Sequence, residues 1–387
     1  MKKQIGDSET MERKINVLHL INELEYGGAE VLLLDFARHF NREKLNLFVA
    51  FLDGEGTLRG AIESQGVRVF DLSLKGRKNP LVFFSILRLI KKLDIDVVNT
   101  HLVMASVIGS AAAKASKVKV LVTTRHYDYN KEIKSLRFKL DRLMAKYPDC
   151  LVVVSRETKR IVKQEEKLKV KQIQVIYNGT DVDYFNPLKK SQSKLDTSPK
   201  IIGSIGRLTT QKGYDKFIKI ISKLVHNGAR INAEIIGVGE DYQRLVEQSK
   251  AMGVSENVHF CGRLSRERVK EKLSLWDIFM LTSNWEAFGI VTTEAMAMEL
   301  PVVVSKVGGL TEIVRDGIDG FLVESGDIDG FAEKVSYLLE NPESAMEMGR
   351  NARQRVIENF SIQKMVNSYQ RLYIKLLESK GYQEFVH

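Results

Sequence analysis

The chain has 387 residues, 44% of them apolar, which predicts two or three globular domains with ample core. Its two cysteines, Cys150 and Cys261, lie far apart in apolar, strand-like surroundings. That argues against a disulfide framework or a thiolate metal site and favours buried free thiols. The net charge of +10 is uneven, with 32 basic against 23 acidic side chains in residues 1–185 and 27 against 26 in the rest. A charged partner surface, anionic lipid or nucleic acid, is therefore expected on the first half.

Residues 1–12 are polar and expected to be disordered, with Met11 as an alternative start. The basic beginning leads into a strand-sized apolar run without a small-residue cleavage site, so a signal peptide is not expected. No stretch approaches about 18 uncharged apolar residues, so neither is a transmembrane helix. Strands are predicted at "INVLHLI", "LNLFVAFL", "VRVFDL", "DVVNT", "VKVLVTT" and "CLVVVS". Further on they follow at "KIIGSIG", "INAEIIG", "NVHFCG", "DIFMLT", "LPVVVS" and "GFLV". Apolar strands alternating with amphipathic stretches indicate parallel sheets covered on both faces. Residues 186–199, rich in turn formers, read as a linker. The expected architecture is α/β: a doubly wound domain over 13–185 and a second over 200–362, facing across a cleft. A C-terminal helical segment, 363–387, is expected to return to the first domain.

Ligands of such sheets bind beyond the carboxyl ends of the strands. There lie Gly27 and Gly28 after the first strand, His101 and His126 after later ones, and Ser155 at the end of "CLVVVS". In the second half, "GSIGRLTTQKGYDKFIKII" places Gly206, Arg207 and Lys212 between a strand and a helix starting near Gly213. A guanidinium and an ammonium can together neutralise a diphosphate, although loop cations are often merely solvated. In "EAFGIVTTEAMAM" a helix begins around Phe288, Gly289 and Ile290, where free amides suit phosphate or hydroxyl oxygens. Glu286 before it and Glu294 within it would address two ends of one ligand, since a carboxylate accepts from vicinal hydroxyls. The bland alternative is a helix capped by acidic residues. "IIGVGE", with Gly237 and Gly239, is a glycine turn short of a dinucleotide fingerprint. His19 reads as a core histidine, and His126 as an even choice between core and ligand contact. Asp94/Asp96, Asp181/Asp183 and Asp327/Asp329 read as boundary or turn residues, and no zinc-like spacing occurs.

These segments, with Gly27-Gly28-Ala29-Glu30, "IYNGTDVDYF", "GRLTTQKGYD", "NVHFCGR" and "VGGLTEIVRDGIDGFLV", occur in one family's order. From Lys14 to Phe360 the chain resembles the retaining nucleotide-sugar glycosyltransferases of the GT-B fold, glycosyltransferase family 4. The resemblance implies transfer of a hexose-type sugar from a nucleotide diphosphate sugar, such as a UDP- or GDP-sugar. No cofactor and no metal would be needed. Arg207 and Lys212 would hold the diphosphate, Glu286 the sugar, and Glu294 the ribose. Phe288, Gly289 and Ile290 would offer amides, Gly28 a close helix approach, and His126 a place beside the sugar. Gly206 and Gly239 would line the donor site, and Gly262 and Arg263 would face the base. His101, Tyr127 and Ser155 would lie on the acceptor side. Attack would come from the front face, the leaving phosphate taking the acceptor's proton. Two departures stand out: Ala287 where the family often has Gly, and "MAMELP" for Met-Ala-Cys-Gly-x-Pro.

The acceptor is expected to be a glycan or lipid-linked glycan of cell-surface polysaccharide or glycolipid synthesis. Segments 79–93 and 131–147 mix apolar residues with Lys and Arg. They suit peripheral attachment to an anionic membrane on its cytoplasmic face, or else helices packed on the sheet with solvated basic faces. Nucleic acid is not expected, because no recognition motif is present. An NAD-dependent oxidoreductase would need Gly-x-Gly-x-x-Gly after the first strand, which "INELEYGGAE" lacks. A non-catalytic sugar-nucleotide binder remains the other alternative.

Overall fold

The computed structural model describes residues 13–74, 81–126, 136–164, 168, 170–187 and 198–382. Residues 1–12, Tyr127 and most of the expected linker lie outside them. The first domain carries strands β1 (Ile15–Ile21), β2 (Leu45–Phe51), β3 (Arg68–Asp71), β4 (Val97–His101), β5 (Val120–Arg125), β6 (Cys150–Val153) and β7 (Ile173–Val175). Between them run helices α1 (Gly28–His39), α2 (Arg59–Glu63), α3 (Val82–Lys92), α4 (Val103–Ser116), α5 (Leu136–Met144) and α6 (Arg156–Gln164). The sheet order is β3-β2-β1-β4-β5-β6-β7, parallel throughout. Only β7 escapes the sequence reading: three residues long and half-buried, it lacks the apolar run that marks the inner strands.

The second domain holds β8 (Lys200–Ile205), β9 (Ile231–Ile236), β10 (Val258–Gly262), β11 (Ile278–Leu281), β12 (Val302–Ser305) and β13 (Phe321–Val323), ordered β10-β9-β8-β11-β12-β13. Its helices are α7 (Tyr214–His226), α8 (Tyr242–Ala251), α9 (Arg266–Leu275), α10 (Ile290–Ala297) and α11 (Leu310–Ile313). The chain then continues through α12 (Ile328–Glu340), α13 (Pro342–Asn359) and α14 (Ile362–Glu378).

Periodicity explains the layers. In α3, Val82, Ile86, Leu89 and Ile90 are buried while Arg88, Lys91 and Lys92 face outward. By contrast, α10 buries Thr292, Thr293, Ala295, Met296 and Ala297 and has no polar face, so it is an inner helix. Each sheet is covered on both sides, the first by α1, α2 and α14 on one face and α3 and α4 on the other. The C-terminal α14 thus leaves the second domain and packs Ile362, Met365, Val366, Tyr369, Tyr373 and Leu377 into the core of the first. The outgoing and returning strands of chain touch: Thr180 N–H donates to Phe360 O at 2.8 Å, and Ile362 N–H donates to Thr180 O at 2.9 Å.

In both sheets the order reverses at the first strand, between β1 and β4 and between β8 and β11. That switch opens a crevice outside the carboxyl ends of those strands.

Candidate active site

On the second domain, the loop after β8 brings Gly206, Arg207 and Lys212 to the crevice. Gly206 N–H donates to Ile236 O at 3.0 Å, and a Cβ on Gly206 would meet Lys212 Cε at 3.1 Å, so its absence leaves room for the lysine stem. Gly237 and Gly239 stand behind this loop: Cβ atoms there would fall 1.9 Å from Gly206 O and 2.3 Å from Leu208 O. They let two loops pack backbone to backbone, and Gly239, expected at the donor, lies against the backbone of Leu208. Gly262 ends β10 and Arg263 follows it, exposed.

The loop after β11 is tied to the first by Asn284 N–H donating to Gln211 O (2.8 Å) and Gln211 Nε2 to Trp285 O (3.3 Å). Lys212 Nζ then sits 2.5 Å from Glu286 Oε1, and Ser283 Oγ donates to the same oxygen at 2.8 Å. Gly308, with φ of +48°, backs onto Glu286 so closely that a Cβ would lie 1.9 Å from its carbonyl oxygen. Gly309 N–H donates to that carbonyl at 3.0 Å. These glycines hold the glutamate's backbone from the next strand loop.

The helix α10 starts on Gly289, φ +102°, without a side-chain cap; Thr292 N–H turns back to Gly289 O at 2.9 Å, and the amides before it have no acceptor within the helix, so they suit a ligand. Phe288 itself is core, its ring 6.0 Å from Tyr177 and 5.8 Å from Phe360 between centroids; only its backbone is available to a ligand. Across the crevice α1 starts on Gly27, also uncapped. A Cβ on Gly28 would stand 3.5 Å from Ile290 Cδ1, so the two helix starts face one another. Glu30, in the first turn of α1, has its carboxyl raised by burial while the Arg207 charge draws it back, which places that cation opposite α1.

Glu294 is raised to about 7, first by burial and also by Asp35, with Arg266 opposing. Arg266 at the start of α9 grips Asp35 on α1 through both guanidinium nitrogens, at 2.5 and 2.9 Å, and lies 4.5 Å over the Tyr184 ring. A second tie comes from Glu312 on α11, which accepts from Arg156 N–H and Glu157 N–H (both 3.0 Å) at the start of α6 and from Tyr177 Oη (2.8 Å). Both ties join the domains, and neither has a local signal, their partners being more than 130 residues apart.

The histidines form a chain. His126 Nε2 is 2.9 Å from His101 Nδ1, His101 Nε2 is 3.1 Å from His19 Nδ1, and His19 Nε2 is 3.1 Å from Tyr373 Oη on α14. His101, expected to meet an acceptor, is buried with both ring nitrogens engaged and is a link in this chain instead. His19 is indeed in the core, but it is bonded at both nitrogens. Burial lowers His126 to about 4; burial, then the His126 charge, lowers His19 to about 3. His101 is pushed well down by burial and by its two neighbours, so all three rings are neutral near pH 7. Ser155 is also corrected: buried, it accepts from Thr158 N–H at 3.0 Å and caps α6.

Among the described residues no group of three or more His, Cys, Asp or Glu has a metal-holding arrangement, and no helix is long and apolar enough to cross a membrane. Asp327 caps α12 by accepting from Gly330 N–H, and Asp96 is buried beside Lys119 and Asn16 N–H.

The first domain matches the model of Glycosyltransferase Family 4 over residues 26–184, and the second that of Glycosyl transferases group 1 over 185–355. The chain is a family 4 glycosyltransferase of the GT-B fold. This glycosyltransferase is 28% identical over 299 residues to N-acetyl-alpha-D-glucosaminyl L-malate synthase of Bacillus anthracis, covering 73% of this chain and 76% of the relative. It is 28% identical over 313 residues to UDP-Gal:alpha-D-GlcNAc-diphosphoundecaprenol alpha-1,3-galactosyltransferase of Escherichia coli, covering 76% and 79%. Its fold superposes on that of Anabaena HepE, solved with UDP, with a TM-score of 0.79 at 21% identity, covering 92% of this glycosyltransferase and 99% of HepE.

Proposed function

We propose that the enzyme moves a hexose-type sugar, with retention and without a metal, from a nucleotide diphosphate sugar to a glycan or lipid-linked acceptor of cell-surface polysaccharide or glycolipid synthesis. One observation carries this reading. Lys212 and Glu286, 2.5 Å apart, sit at the sheet's switch point, between the loop of Arg207 and a free helix start that faces Gly28. The Lys212 ammonium and the amides at the start of α10 suit a diphosphate, the Glu286 carboxylate suits sugar hydroxyls, and Arg207, exposed and 3.4 Å from Gln211 Oε1, stands on the same loop as Lys212.

Lys212 and Arg207 stabilise charge building on the leaving diphosphate as the bond from the sugar's anomeric carbon to phosphate oxygen breaks. The acceptor hydroxyl forms its bond to that carbon on the same face and gives its proton to the leaving phosphate oxygen. Glu294 receives the ribose hydroxyls, and His126 lies beside the sugar. The E. coli relative, whose name gives a UDP-galactose donor and a diphosphoundecaprenol acceptor, supports this donor and acceptor class.

Attachment to the cytoplasmic face of an anionic membrane belongs to the same proposal. Leu81, Phe84 and Leu143 are exposed on the first domain beside outward Arg88, Lys91, Lys92 and Arg142. Flotation of F84E/L143E with anionic vesicles should fall well below that of the native chain; equal flotation on neutral vesicles refutes this part.

The deciding experiment is thermal shift against UDP-, GDP- and ADP-sugars, followed by transfer with EDTA present and the anomer assigned by NMR. Inverted product, or transfer abolished by EDTA, overturns the reading.

A further inference from the structure

The histidine chain has a direction. Thr124 Oγ1 donates to Asn99 Oδ1 at 3.0 Å, which orients the buried Asn99 amide so that its Nδ2 donates to Tyr373 Oη at 2.8 Å. A phenol oxygen that accepts from an amide still has its own proton to give, and His19 Nε2 lies 3.1 Å away. A neutral imidazole that accepts at Nε2 carries its proton on Nδ1. His19 Nδ1–H therefore donates to His101 Nε2, and His101 Nδ1–H in turn donates to His126 Nε2.

We propose that this one-way chain, started by Tyr373 on the C-terminal helix, fixes His126 as the tautomer with its proton on Nδ1. His126 then offers the donor sugar an N–H donor and not a base. Tyr373, His19 and His101 are positioning residues. The inference rests on the reading above that a sugar oxygen lies at His126.

Two further observations fit. His126 Nδ1 is covered and has no partner among the described residues, so it is a buried donor that an accepting ligand oxygen would satisfy. The three rings are kept neutral by burial, and a charged ring would turn two N–H groups toward each other. Since Tyr373 belongs to α14, which returns from the second domain, the polarity of a first-domain side chain is set by the chain's last long helix.

The test reads the tautomer directly. Long-range 1H–15N spectra of the full chain with labelled histidine, assigned with H126N, should show the His126 proton on Nδ1. In Y373F the phenolic proton is gone and the chain can reverse. The His126 proton should move wholly or partly to Nε2, and the KM for the accepted donor sugar should rise about tenfold. Affinity for UDP, measured by titration, should not change. A native His126 protonated on Nε2 overturns the proposal, as does Y373F with unmoved tautomer and KM. If no nucleotide binds, the function reading fails instead, while the spectra of the free protein still decide the tautomer.

Discussion

Lys212 Nζ lies 2.5 Å from Glu286 Oε1, and the two side chains are only 13% and 6% exposed. The cation proposed for the diphosphate is therefore held by the carboxylate proposed for the sugar, so each keeps the other in place at the crevice. K212A should lower kcat at least about 100-fold, the scale of losing one donor to transition-state charge. It should also cost about 3 kcal/mol of stability, because Glu286 is left buried and unpaired. The double variant K212A/E286Q should regain part of the stability and none of the turnover. Initial rates and denaturant unfolding check both statements; near-normal turnover in K212A would remove the lysine from the mechanism.

Gly28 faces Ile290 with room for one methyl group, since a Cβ there stands 3.5 Å from Ile290 Cδ1. G28A should behave almost like the native chain. G28V fills the gap between the two helix starts, displacing them by a fraction of an ångström or more. A loss of roughly 100-fold in kcat/KM is expected, because small misplacement of binding groups is costly. Donor-saturation kinetics on both variants distinguish the cases.

Glu294 titrates near 7 through burial, against an ordinary value of 4.5. A carboxyl raised on folding favours the folded state when protonated. That contribution is fully present below about pH 4.5 and is lost as pH rises through 7. The loss is at most about 3 kcal/mol, and less because the carboxyl is partly exposed. E294Q should therefore flatten the stability curve between pH 4.5 and 7.5, and should be the more stable protein at pH 8. Parallel pH-dependent unfolding curves for the two proteins would refute the burial argument.

Arg266 and Asp35 form a buried two-pronged pair between α9 and α1. R266A should cost about 2 kcal/mol, since Asp35 loses its two-pronged partner but keeps Arg38 Nη1 at 3.2 Å. R266K should recover little, because an ammonium cannot match both carboxylate oxygens. A double-mutant cycle with D35N should show a coupling above about 1 kcal/mol; additivity would mean that the domains do not lean on this contact.

Glu299 occupies the left-handed region, φ +59°, at the place in "MAMELP" where the family resemblance leads one to expect glycine. A residue with a Cβ adopts this conformation at a cost of about 1–2 kcal/mol. E299G removes that strain but adds freedom to the unfolded chain, worth about 0.5–1 kcal/mol. A net gain of about 0.5–1 kcal/mol is expected in thermal unfolding, without change in activity.

The amino-acid sequence alone determined the two wound sheets and marked the candidate site residues of the second domain. Strands such as "INVLHLI" and "LPVVVS" are buried on both faces and so write their apolar runs locally, whereas half-buried β7 does not. Arg207 and Lys212 are legible as candidates because they follow the end of β8, and Glu286 and Glu294 because they flank the start of α10, each pair within one short stretch. The tertiary structure alone decided that Ser155 caps a helix, that Gly239 braces a loop, and that Asp35 meets Arg266. It also decided that His101 has no nitrogen left for an acceptor. The reason is physical. Turn and strand preferences depend on neighbours along the chain, but ion pairs and hydrogen-bond direction depend on groups hundreds of residues away that the sheet order brings together.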